Sequence, residues 1–530
     1  MKLPSLPFGR RSSEPRAPVL AGYRQPQRLR PRTLFAMALY AGVLIFFGGA
    51  LTYFGPSALL PLMAPLSILV LLIIWAMPDS ERPPTRWVSF LTFGFVIALL
   101  AWPDYLALAL PGLPWITAIR LTGVPLAVVF LISLSVSKAF RAHMSETLRA
   151  TPITTVLVLT FALIATVSLA FSADPTTSLN KLVVAYLYWF LIFFASAWLF
   201  SKEGNVYKLA CIIWIFVMVT TVIGLQEWRL QSVVWAGHIP DFLRIEDPAV
   251  QNILSAKSRS TTGIYRVQSK FTTPLGFAEY LALSTPFILF FLIFGRRWFV
   301  RLAAAATLAL IFLSIQRTDS RLGAVGFFMS FLLFLAAWSV LRWSRVKESI
   351  IGPALTLAYP AVFAAFIAST FFVGRIQAMV WGTKAQSFSS QAREAQVQRG
   401  MPLIWAEPWG RGIGRGAREL NYRNLGGGLT IDTYYLLIGL EFGVLGFLVY
   451  FGMFLSSAGY GAKNLFAYRT REHLLLIPLI ISVLNFVIVK SVFAQQENHP
   501  LMFMFLGAIT ALCWQIQRAN QPIKAPQVAD

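Results

Sequence analysis

Apolar runs of about twenty residues recur from near the first residues to the last thirty, and each is long enough to cross a hydrocarbon core as one helix. Few folds survive that constraint. Inside lipid every backbone N–H and C=O must be satisfied within the protein, which leaves helices and closed barrels. A barrel strand alternates polar and apolar side chains over about ten residues, whereas these runs are continuous. Composition agrees, since 57% of the 530 residues are hydrophobic and 13% charged, against about half and a quarter in soluble domains.

The sequence therefore predicts an all-α, polytopic membrane helical bundle with about fourteen transmembrane helices. They are expected near 33–54, 57–77, 87–103, 119–137, 151–172, 178–200, 206–225, 273–294, 298–315, 322–341, 349–373, 431–453, 473–491 and 499–517. Residues 1–32, rich in Arg and Pro, read as a disordered basic cytoplasmic tail; no small-residue cleavage site follows the first run, which argues against a signal peptide. The chain then divides into N-terminal helices (33–225), a first long loop (226–272), central helices (273–373), a second long loop (374–430), C-terminal helices (431–517) and a short tail (518–530).

The formal net charge of +23 has one ordinary source, because Lys and Arg gather in short cytoplasmic loops. With both termini cytoplasmic, SERPPTR, KAFRAHMSETLR, GRRWFVR, RWSRVK and AKNLFAYRTRE all fall on that side. Both long loops then face outward, and topology does not explain their arginine. The first carries Arg229, Arg244, Lys257, Arg259, Arg266 and Lys270. The second carries Arg375, Lys384, Arg393, Arg399, Arg411, Arg415, Arg418 and Arg423. The turn QRTDSR adds Arg317 and Arg321.

Chemistry based on cysteine or histidine is not indicated. Cys211 and Cys513 lie inside apolar runs, and His143, His238, His473 and His499 are scattered, so neither a disulfide framework nor a zinc site is expected, and no cofactor. GRGIGRG (410–416) follows no strand and opens no clear helix, which excludes a nucleotide-binding glycine loop.

Three segments carry the functional signal. In IYRVQSKFTTPLGFAEYLAL (264–283), Arg266 precedes Pro274 at a helix start, and Glu279 is a carboxylate within a span, where such groups face a cavity or a partner. In RTDSRLGAVGFF (317–328), Asp319 or Ser320 is placed to cap a helix, with Arg321 behind it and small residues beyond. The third runs from Arg393 through Trp405, Pro408, Trp409 and GRGIGRG to Asp432, and reads as a structured re-entrant or interfacial loop. Guanidinium groups bind phosphate oxygens in pairs and stay charged. An arginine-dense outer cleft with few carboxylates suits a multiply anionic ligand next to lipid, such as pyrophosphate on a polyprenyl carrier, and not nucleic acid.

These segments resemble a known group. RVQSKFTTPLGFAEYL is similar to the pattern R-x-x-G-x-F-x-x-P-x-x-x-A-x-Y-L, with Ser269 in the glycine's place. DSRLGAVGFF is similar to S-R-G-x-x-x-G, and DTYYLLIGLEFGVLG to H-N-x-Y-L followed by E-x-G-x-x-G. Together they resemble the O-antigen ligase and Wzy-type polysaccharide polymerase superfamily over about residues 264–453. The resemblance implies a GT-C-like fold with two long periplasmic loops. It also implies metal-independent, inverting glycosyl transfer at the periplasmic face of the inner membrane, with undecaprenyl-pyrophosphate-linked oligosaccharide as donor and acceptor. A chain-length regulator protein is a further partner of this kind of enzyme. Ligases of the family line their site with two arginines, matching Arg266 and Arg321, and a histidine, in whose place stands Asp432. That exchange favours an exopolysaccharide or O-antigen polymerase over an O-antigen ligase.

On this reading Asp432, Arg266 and Arg321 are catalytic, while Arg393, Arg411, Arg415, Glu279 and Tyr435 bind substrate. Asp432 at a helix start is either a plain N-cap or the group that orients, and secondarily deprotonates, an acceptor hydroxyl. A transporter or lipid-carrier flippase is the rival of another class, though two related halves are not evident.

Overall fold

The computed structural model describes residues 59–109, 115–255, 265–374, 387–423 and 427–521, with Ala38, Gly42, Gly263 and Gln377 singly. The expected tail at 1–32 and span at 33–54 otherwise lie outside the described residues, as do Lys257, Arg259, Arg375 and Lys384. The chain forms two compact units, Met1–Pro78 and Asp79–Asp530. Helix α1 (Leu59–Ala76) belongs to the first unit, and every described helix after it to the second.

In that unit α2 (Thr85–Ala101), α3 (Ala118–Val136), the short amphipathic α4 (Lys138–Leu148) and α5 (Pro152–Val167) lead into α6, which runs Pro175–Phe200 through a π turn at Tyr186–Phe190. There follow α7 (Asn205–Leu230), α8 (Pro248–Leu254), α9 (Pro274–Phe294), α10 (Trp298–Arg317), α11 (Arg321–Arg345) and α12 (Ile351–Phe372). The C-terminal part holds α13 (Ser387–Ala406), α14 (Gly416–Leu420), α15 (Tyr434–Leu465), α16 (Leu476–Val489) and α17 (His499–Asn520).

Eleven described helices are long and apolar enough to cross a bilayer, and Leu66–Ala76 and α2 are shorter apolar helices. The polytopic helical bundle follows, and among the described residues there is no β-strand, only two isolated bridges. Lipid contact explains the outer surface: Leu121, Leu163, Leu302 and Leu445 are each more than 60% exposed, which suits a hydrocarbon solvent. By contrast α9 and α17 are buried nearly throughout and form the centre of the packing.

Crossing helices alternate in direction, so one end of the unit collects the connections 102–117, 172–174, 231–273, 318–320, 373–433 and 490–498. Backbone bonds tie these together. Val267 N donates to the Arg317 carbonyl at 3.1 Å, and Tyr434 N to the Lys490 carbonyl at 3.1 Å. Thr273 caps α9 by accepting from Gly276 N, with Pro274 in the first turn, and Ser320 caps α11 by accepting from Gly323 N. Both are local solutions the sequence indicates.

Two helices differ from expectation. α7 continues past residue 225 to Leu230 because Glu227, which interrupts the apolar run, is fully buried and satisfied. Its carboxylate accepts from Tyr265 Oη (2.9 Å), Gln268 N (3.0 Å) and Ser269 N (2.6 Å).

The second difference concerns α15, which is broken at Gly443 (φ 69°, ψ −170°). The ring of Tyr434 lies 5.5 Å from that of Tyr450, residues that an unbroken helix would hold about 24 Å apart. Residues 434–442 are therefore a half-helix folded back along 444–465. Loop 408–412 is the clamp. Val444 N donates to the Pro408 carbonyl at 3.0 Å, while Arg411 N and Gly412 N donate to the carbonyls of Leu440 (2.9 Å) and Glu441 (3.1 Å), which end the half-helix.

Candidate functional site

The first wall of the site is the corner where residues 265–269 meet the α10–α11 turn. Arg266 Nε donates to the Thr318 carbonyl at 2.8 Å, three residues before Arg321, and both arginines are half-buried. Arg317, next in the turn, stacks its guanidinium 3.8 Å over the ring of Trp228. The structure thus brings Arg266 and the α11 N-terminus together. Ser269, where the resembling pattern has glycine, has φ 54°, a region that favours glycine. Its hydroxyl donates to the Thr220 carbonyl at 2.9 Å and its amide to Glu227, which holds the turn.

The second wall is α13 and the half-helix, running side by side in the same direction. Gln396 of α13 grips Asp432 twice: Asp432 N donates to Gln396 Oε1 at 2.9 Å, and Gln396 Nε2 donates to Asp432 Oδ2 at 3.2 Å. Thr430 Oγ1 adds a bond to Asp432 Oδ1 at 3.2 Å. Thr433, not Asp432, is the N-cap residue of α15, and no side chain closes that cap. The plain-cap reading of the carboxylate is thereby set aside.

Between these helices lies a cavity of about 660 Å³, within the usual range for small-ligand sites. Its polar end is formed by Arg393, Glu394, Thr433 and Ser491, and its length by Val397, Met401, Ile404, Leu436, Val444, Phe447 and Leu448. Tyr435 also lines it, with its hydroxyl donating to the Val487 carbonyl at 2.7 Å. α16, which supplies that carbonyl, is the neighbour both walls share, because Val489 Cγ1 faces Gly326 of α11.

Arg411 and Arg415 have a different setting. Arg411 reaches Glu407 (3.2 Å) and Glu419 (3.3 Å), and Arg415 reaches Glu419 (2.9 Å) and Asp174 (3.7 Å). The Thr177 hydroxyl and amide, with Arg415 and Arg418 adding to them, hold the Asp174 carboxyl below its ordinary range. Both guanidinium groups thus face carboxylates in the clamp around Gly410, Gly412 and Gly414, all of positive φ. Glu441 completes the clamp by accepting from Gly416 N at 3.2 Å.

Glu279 is likewise engaged. Its carboxylate meets Lys490 Nζ at 2.8 Å, with both side chains fully buried, and Asn498 Nδ2 donates to its other oxygen at 3.0 Å. Lys490 also donates to the Gln495 carbonyl. This pair locks α9 to the segment that carries Ser491 and Val492. Replacing Lys490 with alanine leaves a buried carboxylate without its cation, an arrangement that costs about 3–5 kcal/mol. The variant is expected to unfold at clearly lower temperature in detergent, and Glu279→Gln with Lys490→Met to recover part of the loss. An unchanged unfolding temperature for Lys490→Ala would show that the pair contributes little.

Gln396, Lys490, Asp104 and Glu497 are not among the residues singled out from sequence, and Lys270 entered only as one of the first loop's cations. Lys490 and Glu497 did carry a signal, as charges bordering the two most buried C-terminal helices. Among the described residues no cluster of His, Cys, Asp and Glu could hold a metal ion.

Residues 306–451 match a family model described as O-antigen ligase (Wzy_C). The matched segment contains Arg321, Arg393, Arg411, Arg415, Asp432 and Tyr435, and leaves Arg266 and Glu279 outside. It is consistent with the O-antigen ligase and Wzy superfamily that the motifs resemble. No curated protein matches the chain.

Proposed function

We propose, with that superfamily relationship as premise, that the protein is a bacterial inner-membrane glycosyltransferase. It joins undecaprenyl-pyrophosphate-linked oligosaccharide repeats into a surface or exopolysaccharide at the periplasmic face. The observation that carries the reading is the pairing of two features at one end of the bundle. An arginine corner, Arg266 beside the α11 N-terminus at Arg321, accompanies an apolar cavity whose mouth holds Arg393 and lies against Asp432. The cavity suits the isoprenoid chain of the donor, and the arginines suit its diphosphate. The opposite end carries Arg296, Arg297, Arg342, Arg345, Arg469 and Arg471, which supports a cytoplasmic assignment for that end and a periplasmic one for the site.

In this mechanism the bond between the anomeric carbon and the pyrophosphate oxygen breaks while an acceptor hydroxyl attacks from the opposite face, inverting the centre. Negative charge grows on the leaving diphosphate, and fixed guanidinium groups stabilise it. Asp432, oriented by Gln396, accepts the hydrogen bond of the attacking hydroxyl and secondarily takes its proton. Alignment by the two walls supplies much of the acceleration. Arg411, Arg415 and Glu279 build the site without touching substrate.

The description of the matched family favours a second reading, transfer of finished glycan to a lipid A core. Purified protein given synthetic undecaprenyl-pyrophosphate-linked repeats separates the two. A polymerase yields chains of increasing length with inverted anomeric configuration. A ligase yields no longer chain until lipid A core is added. No transfer to either acceptor would refute both.

A further inference from the structure

A second cavity, of about 400 Å³, lies at the same end of the bundle between α2, α3, α6 and α17, and neither the arginine corner nor the apolar cavity uses it. Its walls include carboxyl groups and aromatic side chains: Asp104, Glu497, Trp115, Tyr188 and Trp189, with Arg120. Asp104 and Glu497 are only partly buried there, while one oxygen of each, Asp104 Oδ1 and Glu497 Oε2, is turned away from the open space.

The fold goes to some length to hold these groups. Thr272 N donates to Glu497 Oε1 at 3.2 Å, and a Cβ on Gly276 would stand 2.6 Å from Glu497 Oε2, so the carboxyl lies directly on the α9 backbone. Arg120 is fixed by donating to the Trp115 carbonyl at 2.7 Å. Tyr188 and Trp189 belong to the π turn of α6, a helix irregularity that recurs at functional sites. Lys270 is buried nearby, donating to the Leu99 carbonyl at 2.6 Å, and with Asp104 and Glu497 it lines a separate pocket of about 10 Å³ beside the cavity. Burial pushes the Glu497 carboxyl up to about 8, with Asp104 adding to the rise and Lys270 opposing it.

Carboxyl groups beside an exposed indole match a polyhydroxylated ring, whose hydroxyls both donate and accept at the edge and whose C–H faces stack on aromatics. A metal ion fits poorly, because the Lys270 ammonium already faces both carboxyl groups. We propose that this cavity binds a hexopyranose ring of the acceptor glycan, with Asp104 and Glu497 hydrogen-bonding its hydroxyls and the exposed Trp115 covering one face. The assignment of that glycan as acceptor rests on the transfer reading above. The chain joins the two sites directly, because residues 266–272 run from Arg266 at the corner to Thr272 in the cavity wall.

The test is equilibrium binding of detergent-purified full-length protein to an immobilised panel of neutral and acidic mono- to tetrasaccharides. Wild-type protein is expected to retain a hexose-terminated subset. Trp115→Ala and Glu497→Gln should each weaken retention at least tenfold, with thermal unfolding unchanged for Trp115→Ala. Arg321→Ala should bind as wild type even where it transfers nothing. Retention equal in wild type, Trp115→Ala and Glu497→Gln, or no glycan retained by wild type, overturns the proposal and leaves a water-filled cavity. Cavity-dependent binding by a protein that transfers no sugar from lipid-linked donors would sink the transfer reading and leave the binding site standing.

Discussion

Arg321→Ala is expected to abolish polymer while the protein remains in the membrane at its usual level. Arg321 is the first residue of α11, behind a Ser320 cap that does not depend on its side chain, and it is only half-buried. The helix should therefore form without the guanidinium. On the proposed mechanism, what is lost is a charge placed where the leaving diphosphate becomes more negative in the transition state. Removing one preorganised donor of this kind costs roughly 10²–10³ in rate, and arginines that neutralise transferring phosphates are worth roughly 10³–10⁵. Arg321→Lys keeps a point charge but loses the two-pronged geometry, so its activity should fall between the two. Single-turnover transfer from a lipid-linked repeat is the measurement, with unfolding temperature as the control. A variant that transfers within a few-fold of wild type would remove Arg321 from the mechanism.

Much of the bundle was legible because a membrane narrows the choices. Each described span lies where a long apolar run predicts it, and Thr273, Pro274 and Ser320 start their helices as their chemistry indicates. Helix ends marked by charge were harder to read. Glu227 looks like the end of a span until Gln268, Ser269 and Tyr265, forty residues on, supply its hydrogen bonds. Ser269 is a departure from the resembling pattern that the φ of 54° explains: the position needs a left-handed residue, and side-chain bonding to Thr220 lets serine serve.

The site was legible as a list of segments but not as an arrangement. Arginine density in the loops picks out the end of the bundle where the site is proposed, yet density cannot distinguish a guanidinium facing a ligand from one facing Glu419 or Asp174. The pairing of Glu279 with Lys490 joins residues more than two hundred positions apart, and no local periodicity encodes it. Gln396 is similar: an unremarkable glutamine in a polar stretch acquires its task only when α13 packs beside the half-helix.

The same packing makes Gly443→Ala the substitution with the largest expected structural effect. Gly443 sits at φ 69° and ψ −170°, a backbone region open essentially to glycine alone. A methyl group there would also overlap the Pro408 carbonyl, the acceptor of the Val444 N–H. The strain alone costs about 1–3 kcal/mol, and the overlap must be relieved by moving loop 408–412. That loop cannot move without giving up its bonds to the carbonyls of Leu440 and Glu441. The half-helix would then straighten or fray, carrying Asp432 away from Gln396 and opening the apolar cavity along Leu436 and Gly439. Transfer should be lost, the unfolding temperature should drop, and proteases should cut within 387–423 where the wild type resists. Gly452→Ala and Gly459→Ala are the controls: the first would meet only Leu157 at 3.6 Å, the second meets nothing within 4 Å, and both lie in regular helix. Alanine there should be neutral or slightly stabilising. If Gly443→Ala behaves like these two, the fold-back does not determine where Asp432 stands, and the catalytic placement built on it fails.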